Sequence, residues 1–284
     1  MNRGTPVAVT LVLALAAGGA LLWWRRQPPR PITAAPAAPL PFAVPAPPPP
    51  AAPAVQYAVP LAEPPRGRLP ALDVSDRYLE NALIDLLGRK SVRSFLHLDG
   101  IVRGFVATVN NLANDNASSQ LWPVNPTPGR FDAETRDGGT VISATNADRY
   151  TPFVRFASGI DTARAVALYV RVYPLLQAAY EDLGYPGKYF NDRVIDTIDD
   201  LLATPTVPVP IKVKRVQVDE APPSAGGGLY MFADPALEGR SAGQKILLRM
   251  GPENAGRLIG KLREVRTTLM RALLARAAGA GEAR

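Results

Sequence analysis

The stretch DTARAVALYVRVYPLLQAAYEDLG, residues 161–184, decides the fold class. Its apolar side chains recur every three to four positions, which is the period of a helix that buries one face. Gly184 supplies a stop signal, and Pro174 is expected to kink the helix or divide it into two. The stripe consists of Val166, Tyr169, Val170, Tyr173, Leu176, Tyr180 and Leu183. The stretch therefore predicts a long helix that packs against others.

Similar patterns on both sides of this stretch predict further helices and little strand. The polar residues 114–139 are expected to form an irregular surface excursion, whereas residues 207–218 and 229–232 predict two strands of one hairpin. The prediction is therefore mainly α: a single helical domain over residues 69–278 with a minor β-hairpin, followed by a disordered tail over residues 279–284. The further predicted helices cover residues 73–87 with Ser75 as N-cap, a stretch from residue 91, and residues 101–113, 191–202, 241–250 and 253–278.

A hydrophobic segment near the N-terminus predicts a membrane anchor. Residues 7–24, VAVTLVLALAAGGALLWW, contain no charge and follow a tail of residues 1–6. As a helix they would extend for about 27 Å, enough to cross a bilayer, and Trp23 and Trp24 suit its interface. A cleaved signal peptide is the alternative, but cleavage near the small residues 17–20 would leave a hydrophobic new N-terminus. We therefore expect one transmembrane helix.

Residues 25–68 predict a disordered, Pro/Ala-rich linker, with fifteen prolines between residues 28 and 65. An extended polyproline conformation rises about 3.1 Å per residue, so this linker reaches on the order of 100 Å. Two signals conflict over topology: the arginines after the anchor favour a cytoplasmic domain, and the short tail before a secretory-like apolar run favours export. Because the reach suits a bacterial periplasm, we expect a single-pass inner-membrane protein with a periplasmic C-terminal domain.

Composition excludes several kinds of chemistry. The chain has no cysteine, which removes disulfides, thiolate nucleophiles and iron–sulfur clusters. His97 is the only histidine, and its apolar setting favours packing over catalysis. The net charge of +7 comes mostly from residues 1–68, which hold six arginines against one glutamate. We therefore expect no cofactor, no bound metal and no nucleic-acid partner.

Several stretches of the predicted domain share the pattern of one known family. The most specific is DPALEGRSAGQKILLRMGPENA, residues 234–255. The others are LDVSD (72–76), VATVNNLA (106–113), RYTPF (149–153), YVRVYPLLQAAYEDLGYP (169–186), FN (190–191) and LLATP (201–205). Together they resemble a bacterial family catalogued as domain of unknown function 3014, whose members have an N-terminal membrane helix and a Pro/Ala linker. The resemblance implies an architecture and carries no activity, cofactor or catalytic residue.

Polar residues cluster in the stretch 234–254 around two predicted helix starts. Lys245 and Arg249 lie one helical turn apart and could together hold a carboxylate or phosphate. N-capping explains other members of the cluster, so a structural role is the competing interpretation. The candidate ligand-binding residues here are Asp234, Glu238, Lys245, Arg249 and Asn254.

Tyrosines form a second candidate surface on the long helix. Tyr173 and Tyr180 lie on its apolar stripe, with Tyr185 and Tyr189 just beyond. Tyrosine suits carbohydrate stacking and peptide recognition, whereas a stripe at this spacing is more typical of a core-facing seam. Tyr173 and Tyr180 are therefore candidates for ligand binding, with burial as the alternative.

Opposite charges appear on two predicted helices. Asp192, Asp196 and Asp199 share one helical face, with Asp200 beside them, and could hold a hard cation, although a solvated or salt-bridged face is favoured. The final helix carries seven basic residues between positions 249 and 276 against two glutamates. It could dock on the acidic face, contact an anionic membrane or bind an acidic partner.

Two functions of different classes remain open. The favoured one is a non-enzymatic envelope protein whose helical domain binds a protein or cell-wall partner, which predicts a groove surrounded by Tyr and Arg. The alternative is a glycan hydrolase that uses carboxylates, with Glu181, Glu238 and Glu253 as candidate acids. A weaker alternative is lipid or nucleic-acid binding through the basic final helix. No catalytic residue is assigned.

The expected topology can be tested with a C-terminal reporter. An alkaline phosphatase fusion, which is active only after export, should show activity, and a fluorescent fusion that matures only in the cytoplasm should stay dark. The reverse pattern would place the domain in the cytoplasm.

Overall fold

The computed structural model describes residues 55–59, 69–216 and 229–282. The predicted tail 1–6, the predicted membrane helix 7–24 and most of the predicted linker therefore lie outside the described residues. Within the described ranges, no helix combines the length and apolar character needed to cross a bilayer.

The described chain is mainly helical, as predicted. Short 3₁₀ turns precede or connect some of the helices, at Leu72–Val74, Ser119–Leu121 and Ala144–Arg149. The α-helices of the described ranges are α1 (Asp76–Leu87), α2 (Arg89–Phe95), α3 (Ile101–Leu112), α4 (Thr151–Ser158), α5 (Thr162–Asp182), α6 (Phe190–Leu202), α7 (Pro235–Glu238), α8 (Ala242–Arg249) and α9 (Pro252–Glu282). Because α9 extends to Glu282, most of the segment predicted as a disordered tail is helical.

The long helix expected over residues 161–184 is confirmed as α5. The Asp161 carboxylate caps it by accepting a hydrogen bond from the Arg164 N–H at 2.9 Å. The helix continues through Pro174 with buried residues on both sides of it, so the expected division into two helices is wrong. Ser75 stands at the N-cap of α1 as predicted, but its hydroxyl donates backwards to the Leu72 carbonyl.

A four-stranded antiparallel sheet replaces the minor hairpin that was predicted. Its strands lie in the order β1 (Ala133–Arg136), β2 (Gly139–Ile142), β3 (Lys212–Val216) and β4 (Leu229–Phe232). The predicted hairpin is confirmed as β3 and β4, but β1 and β2 occur where an irregular excursion was expected. Asp137 and Gly138 join them with φ angles of 50° and 73°, the left-handed conformation that a two-residue hairpin turn requires.

The main core lies where α5 and α6 pack against α3 and α9. The Phe190 ring at the start of α6 is fully buried, with its centroid 6.1 Å from that of Phe105 and 5.4 Å from that of Tyr180. A smaller apolar cluster joins the sheet to α7 and α8 through Val213, Phe232 and Leu248. The sheet therefore covers one end of a helical body.

Gly243 allows α8 to approach the helical body closely. A Cβ atom there would overlap the Leu201 side chain and lie 3.1 Å from the Leu112 carbonyl oxygen. The backbone N–H of Ala242 beside it donates to the Asn114 carbonyl at 2.7 Å. The small residues of the SAGQK segment are thus explained by packing.

Replacing Phe190 with alanine should lower the free energy of unfolding by about 3–5 kcal/mol, because it leaves a cavity among aromatic rings. The exposed Leu274 provides the control, since its replacement with alanine should cost well under about 1 kcal/mol. Urea denaturation measures both. Equal losses would contradict the position of Phe190 in the core.

Candidate functional site

Residues 55–59, which we call the strap, lie against α6 although the sequence assigns them to the linker. The backbone N–H groups of Gln56 and Tyr57 donate to the Asp192 carboxylate at 3.2 and 2.8 Å. Val59 is buried in the main core. The strap packs because VQYAV interrupts the proline-rich composition, so that it supplies both free N–H groups and apolar side chains.

A polar network centred on the fully buried Asn191 holds the strap to α5 and α6. The Asn191 side chain donates to the Tyr57 carbonyl at 2.8 Å and accepts from the Tyr169 hydroxyl at 2.8 Å. Its backbone N–H donates to the Tyr173 hydroxyl at 3.4 Å. Tyr173 in turn donates to Gln177 Oε1 at 2.9 Å. Tyr173, a predicted binding residue, is therefore a buried structural residue.

Gln177 extends this network into the loop between α5 and α6. Its side-chain oxygen accepts the Phe190 N–H at 2.9 Å, and its side-chain nitrogen donates to the Lys188 carbonyl at 2.7 Å and to Glu181 at 2.9 Å. These bonds fix residues 183–189 over the end of α5. The backbone at the end of this loop is thereby held against α5.

A cleft of about 440 Å³ opens between this loop, the strap and the ends of α3 and α6. Tyr180 and Tyr185 stack on its wall with ring centroids 4.7 Å apart and planes 9° apart. The cleft is lined by Gln56, Asn110, Asn114, Tyr180, Tyr185, Lys188, Tyr189, Asp192, Arg193 and Asp196. Of the predicted candidates, Tyr180 alone belongs to this lining.

Several polar groups of the cleft are available to a ligand. The Arg193 guanidinium lines the cleft and donates to the Asn110 carbonyl and to Asn114, whereas its Nε is buried away from solvent. The Lys188 ammonium lies 5.5 Å from the centre of the Tyr185 ring. Burial raises the pKa of the Tyr180 hydroxyl. The cleft thus combines aromatic faces, hydrogen-bond donors and the exposed Asp196 carboxylate.

Lys245 and Glu238, two predicted binding residues, bind each other. The Lys245 ammonium lies 3.3 Å from the Glu238 carboxylate and 3.1 Å from the Glu238 carbonyl. The second carboxylate oxygen of Glu238 accepts the Phe232 N–H at 2.8 Å. This pair connects α7 and α8 to the edge strand β4, which is a structural use of both residues.

Arg249, Asn254 and Asp234 also serve the fold. Arg249 lies over the Phe232 ring at 4.7 Å, and burial lowers the pKa of its guanidinium. Asn254 is buried and donates to the Ala147 carbonyl at 2.9 Å. Asp234 caps α7 by accepting the Ala236 N–H. The structure therefore does not bring the two predicted groups of candidates into one site.

The acidic face of α6 is divided among several structural partners. Asp199 forms a bidentate ion pair with Arg266 of α9 at 2.5 and 2.9 Å, so this face docks partly on the basic final helix. Asp200 accepts hydrogen bonds from Ser241 and Gln244, and Asp192 holds the strap. Among the described residues no group of acidic or histidine side chains is arranged to hold a metal ion.

Sequence reasoning named half of the cleft lining, Tyr180, Tyr185, Tyr189, Asp192 and Asp196, but did not join the tyrosines and the acidic face into one site. The GYPGKYF segment, residues 184–190, offered a further signal, since its tyrosines and lysine stand between two helices. Gln56 and Tyr57 offered another, because they interrupt a Pro/Ala tract. His97, expected to pack, is exposed, because it lies in the turn between α2 and α3. Asn110 and Arg193 carried no local signal, since only tertiary packing brings them together.

The described residues form a mainly helical domain with a small antiparallel sheet and an open polar cleft. A family model described as protein of unknown function (DUF3014) matches residues 101–266, from the start of α3 into α9. Because this match spans more than half of the 284 residues, the chain belongs to this family, and the resemblance seen in the sequence is confirmed. No curated protein and no solved structure gives a significant match to the chain.

The buried state of Tyr173 predicts a pH dependence of stability. The pKa of the Tyr173 hydroxyl is raised from about 10 to about 12, and burial is the largest cause of this rise. The folded state therefore retains a proton that the unfolded state releases, so stability is full below pH 10 and falls as the pH rises to 12. Tyr173→Phe, which has no such proton, should reduce the steepness of this fall in urea titrations between pH 9 and about 12. An unchanged slope would contradict the buried position.

Proposed function

We propose that this chain is a non-enzymatic binding protein of the bacterial cell envelope. In this proposal residues 7–24 anchor it in the inner membrane as a single span, and the proline-rich linker carries the helical domain into the periplasm. The uncharged apolar run and the reach of the linker support this arrangement. The domain itself recognises a segment of the cell wall through the cleft.

The cleft carries this proposal. The exposed Tyr189 and the half-buried Tyr185, which rests on the buried Tyr180, offer aromatic surface for a sugar ring, while Asn110 and Asn114 offer hydrogen-bonding groups. Lys188 and Arg193 supply cationic groups for carboxylates. A cell-wall polymer combines sugar rings with charged peptides, so its chemistry matches this mixture. In this proposal the cleft is the groove surrounded by Tyr and Arg that a binding protein was expected to have.

The geometry does not favour the hydrolase alternative. The carboxylates that line the cleft, Asp192 and Asp196, are one turn apart on a single helix. Glycosidases instead place two carboxyl groups on opposite sides of the scissile bond. Asp192 is also engaged by the strap. The three glutamates predicted as acids, Glu181, Glu238 and Glu253, lie outside the cleft lining and each accepts a hydrogen bond from a neighbouring residue.

Internal contacts also reduce the cationic surface of α9, which was the basis of the lipid or nucleic-acid alternative. Arg266 pairs with Asp199, and Arg257 pairs with Glu253 at 2.7 Å. Lys261 donates to the Ile160 carbonyl and to Thr162. The final helix thus uses Arg266 and Lys261 for docking on the domain, and the Arg257 pair lies within the helix itself.

Co-sedimentation of the full-length chain in nanodiscs with purified cell-wall sacculi tests the proposal. Tyr189→Ala should weaken binding by about tenfold, equivalent to about 1.4 kcal/mol, because it removes an exposed aromatic face from the cleft. Leu121→Ala is the matched control, since Leu121 is similarly exposed but lies outside the cleft. It should bind like the native chain.

If the Tyr189 variant and the native chain sedimented equally with the sacculi, the cleft would not be the binding site. If the sacculi bind neither, a photo-crosslinker at position 189 distinguishes the remaining cases. Capture of one consistent envelope protein would identify the partner as a protein, and capture of nothing would overturn the proposed function.

A further inference from the structure

A second cavity, separate from the cleft, lies inside the helical body. It has a volume of about 510 Å³, is open to solvent, and is lined by side chains from α1, α3, α4, α5, α6 and α9. Ligand sites in proteins commonly have volumes of about 300–1,000 Å³. The cavity shares no lining residue with the cleft.

The walls of this cavity offer a ligand only apolar contacts. Its two polar side chains are Thr197 and Tyr169, and both are satisfied within the fold. The Thr197 hydroxyl donates to the Val109 carbonyl at 3.1 Å, and the Tyr169 hydroxyl donates to Asn191 at 2.8 Å. A ligand with polar groups would leave them unpaired there, which is unfavourable. The chemistry of the lining therefore selects an apolar occupant.

The burial of the lining residues shows from which side the cavity is reached. On the wall formed by α5 and α6, Leu176 and Ile198 are buried. On the wall formed by α1 and α4, Leu87, Phe153 and Phe156 are only half-buried although they line the cavity. Solvent therefore reaches part of the lining on the side of α1 and α4.

The short helix α2 places unpaired cations beside this opening. It connects two lining residues, Leu87 and Leu96. Its basic residues Arg89, Lys90 and Arg93 are exposed, and no side chain in the described chain pairs with any of them. Such a cluster would attract an anionic group at the mouth of the cavity.

The volume of the cavity shows whether a thin hydrocarbon chain or a helix fits in it better. An α-helix with its side chains is about 10 Å wide, so about 510 Å³ would hold little more than one turn. A single hydrocarbon chain is much thinner than a helix, so a volume of this size suits one extended acyl chain better.

We propose that this cavity binds one long acyl chain of an anionic amphiphile, with the acyl chain between the helices and the head group at Arg89, Lys90 and Arg93. This site is independent of the proposed function of the cleft. Its ligand class is a fatty acid or a lipid that presents a single acyl chain.

Photo-crosslinking of the full-length chain tests this proposal. The chain in phosphatidylcholine nanodiscs is irradiated with hexadecanoic acid that carries a mid-chain diazirine, and the labelled peptides are mapped. Label should appear in residues 76–112 and 151–182, and an excess of hexadecanoate should compete better than the uncharged hexadecan-1-ol. Ala157→Phe, which fills the cavity, should reduce this label at least about tenfold, in line with the loss of several buried methylene contacts.

Two charge variants of equal size provide the matched comparison. Replacing Arg89, Lys90 and Arg93 with glutamate should abolish the preference for hexadecanoate over the alcohol. The same change at the exposed Arg263, Arg271 and Arg276 of α9 should leave it intact. These surface variants keep the test decisive if Ala157→Phe does not fold.

Label confined to residues 7–24, or equal label in a folded Ala157→Phe chain, would overturn the proposal. An equal effect of the two charge variants would overturn the role of α2. Tyr189→Ala should leave the labelling unchanged, so failure at the cleft and failure at the cavity are distinguishable.

Discussion

The hydrogen bonds of Asn191 are the constraint on which the arrangement of this domain depends. A fully buried side-chain amide must have its polar groups satisfied, or it destabilises the fold. Asn191 satisfies them with the Tyr169 hydroxyl on α5 and the Tyr57 carbonyl in the strap. Because this residue of α6 is bonded both to the neighbouring helix α5 and to the strap, which is distant in sequence, it sets the register in which the three segments meet. Tyr173 and Gln177 extend the same network to the loop that forms one wall of the cleft.

The long helix α5 serves both the cleft and the apolar cavity. Tyr180 lines the cleft and Tyr169 lines the cavity, and these residues lie about 16 Å apart along the helix axis. Their hydroxyls differ in role: that of Tyr169 is held by Asn191, whereas that of Tyr180 makes no hydrogen bond within the described chain. The two surfaces accordingly differ in chemistry, since one presents polar and aromatic groups and the other presents hydrocarbon.

The periodic spacing of apolar residues predicted the helices, because the spacing that marks a helix is local in the sequence. The stripe of α5 and the pairing of β3 with β4 could be predicted in this way. The strands β1 and β2 were missed because each is only four residues long and the AETR sequence of β1 is polar, although the Asp137–Gly138 turn was a usable signal. The polar cluster of residues 234–254 suggested a binding site, but its members satisfy one another across α7, α8 and β4. Such mutual satisfaction depends on tertiary contacts, which local sequence does not encode.

Hydrogen–deuterium exchange of the full-length chain tests the central role of Asn191 most directly. In the native chain the amides of Gln56 and Tyr57 should be protected, because both donate to Asp192. Asn191→Ala should remove protection from residues 55–59 and from the loop 185–190, while the amides of β2 and β3, which lie in the sheet, keep theirs. Strap amides that exchange freely in the native chain, or that stay protected in the variant, would contradict this account.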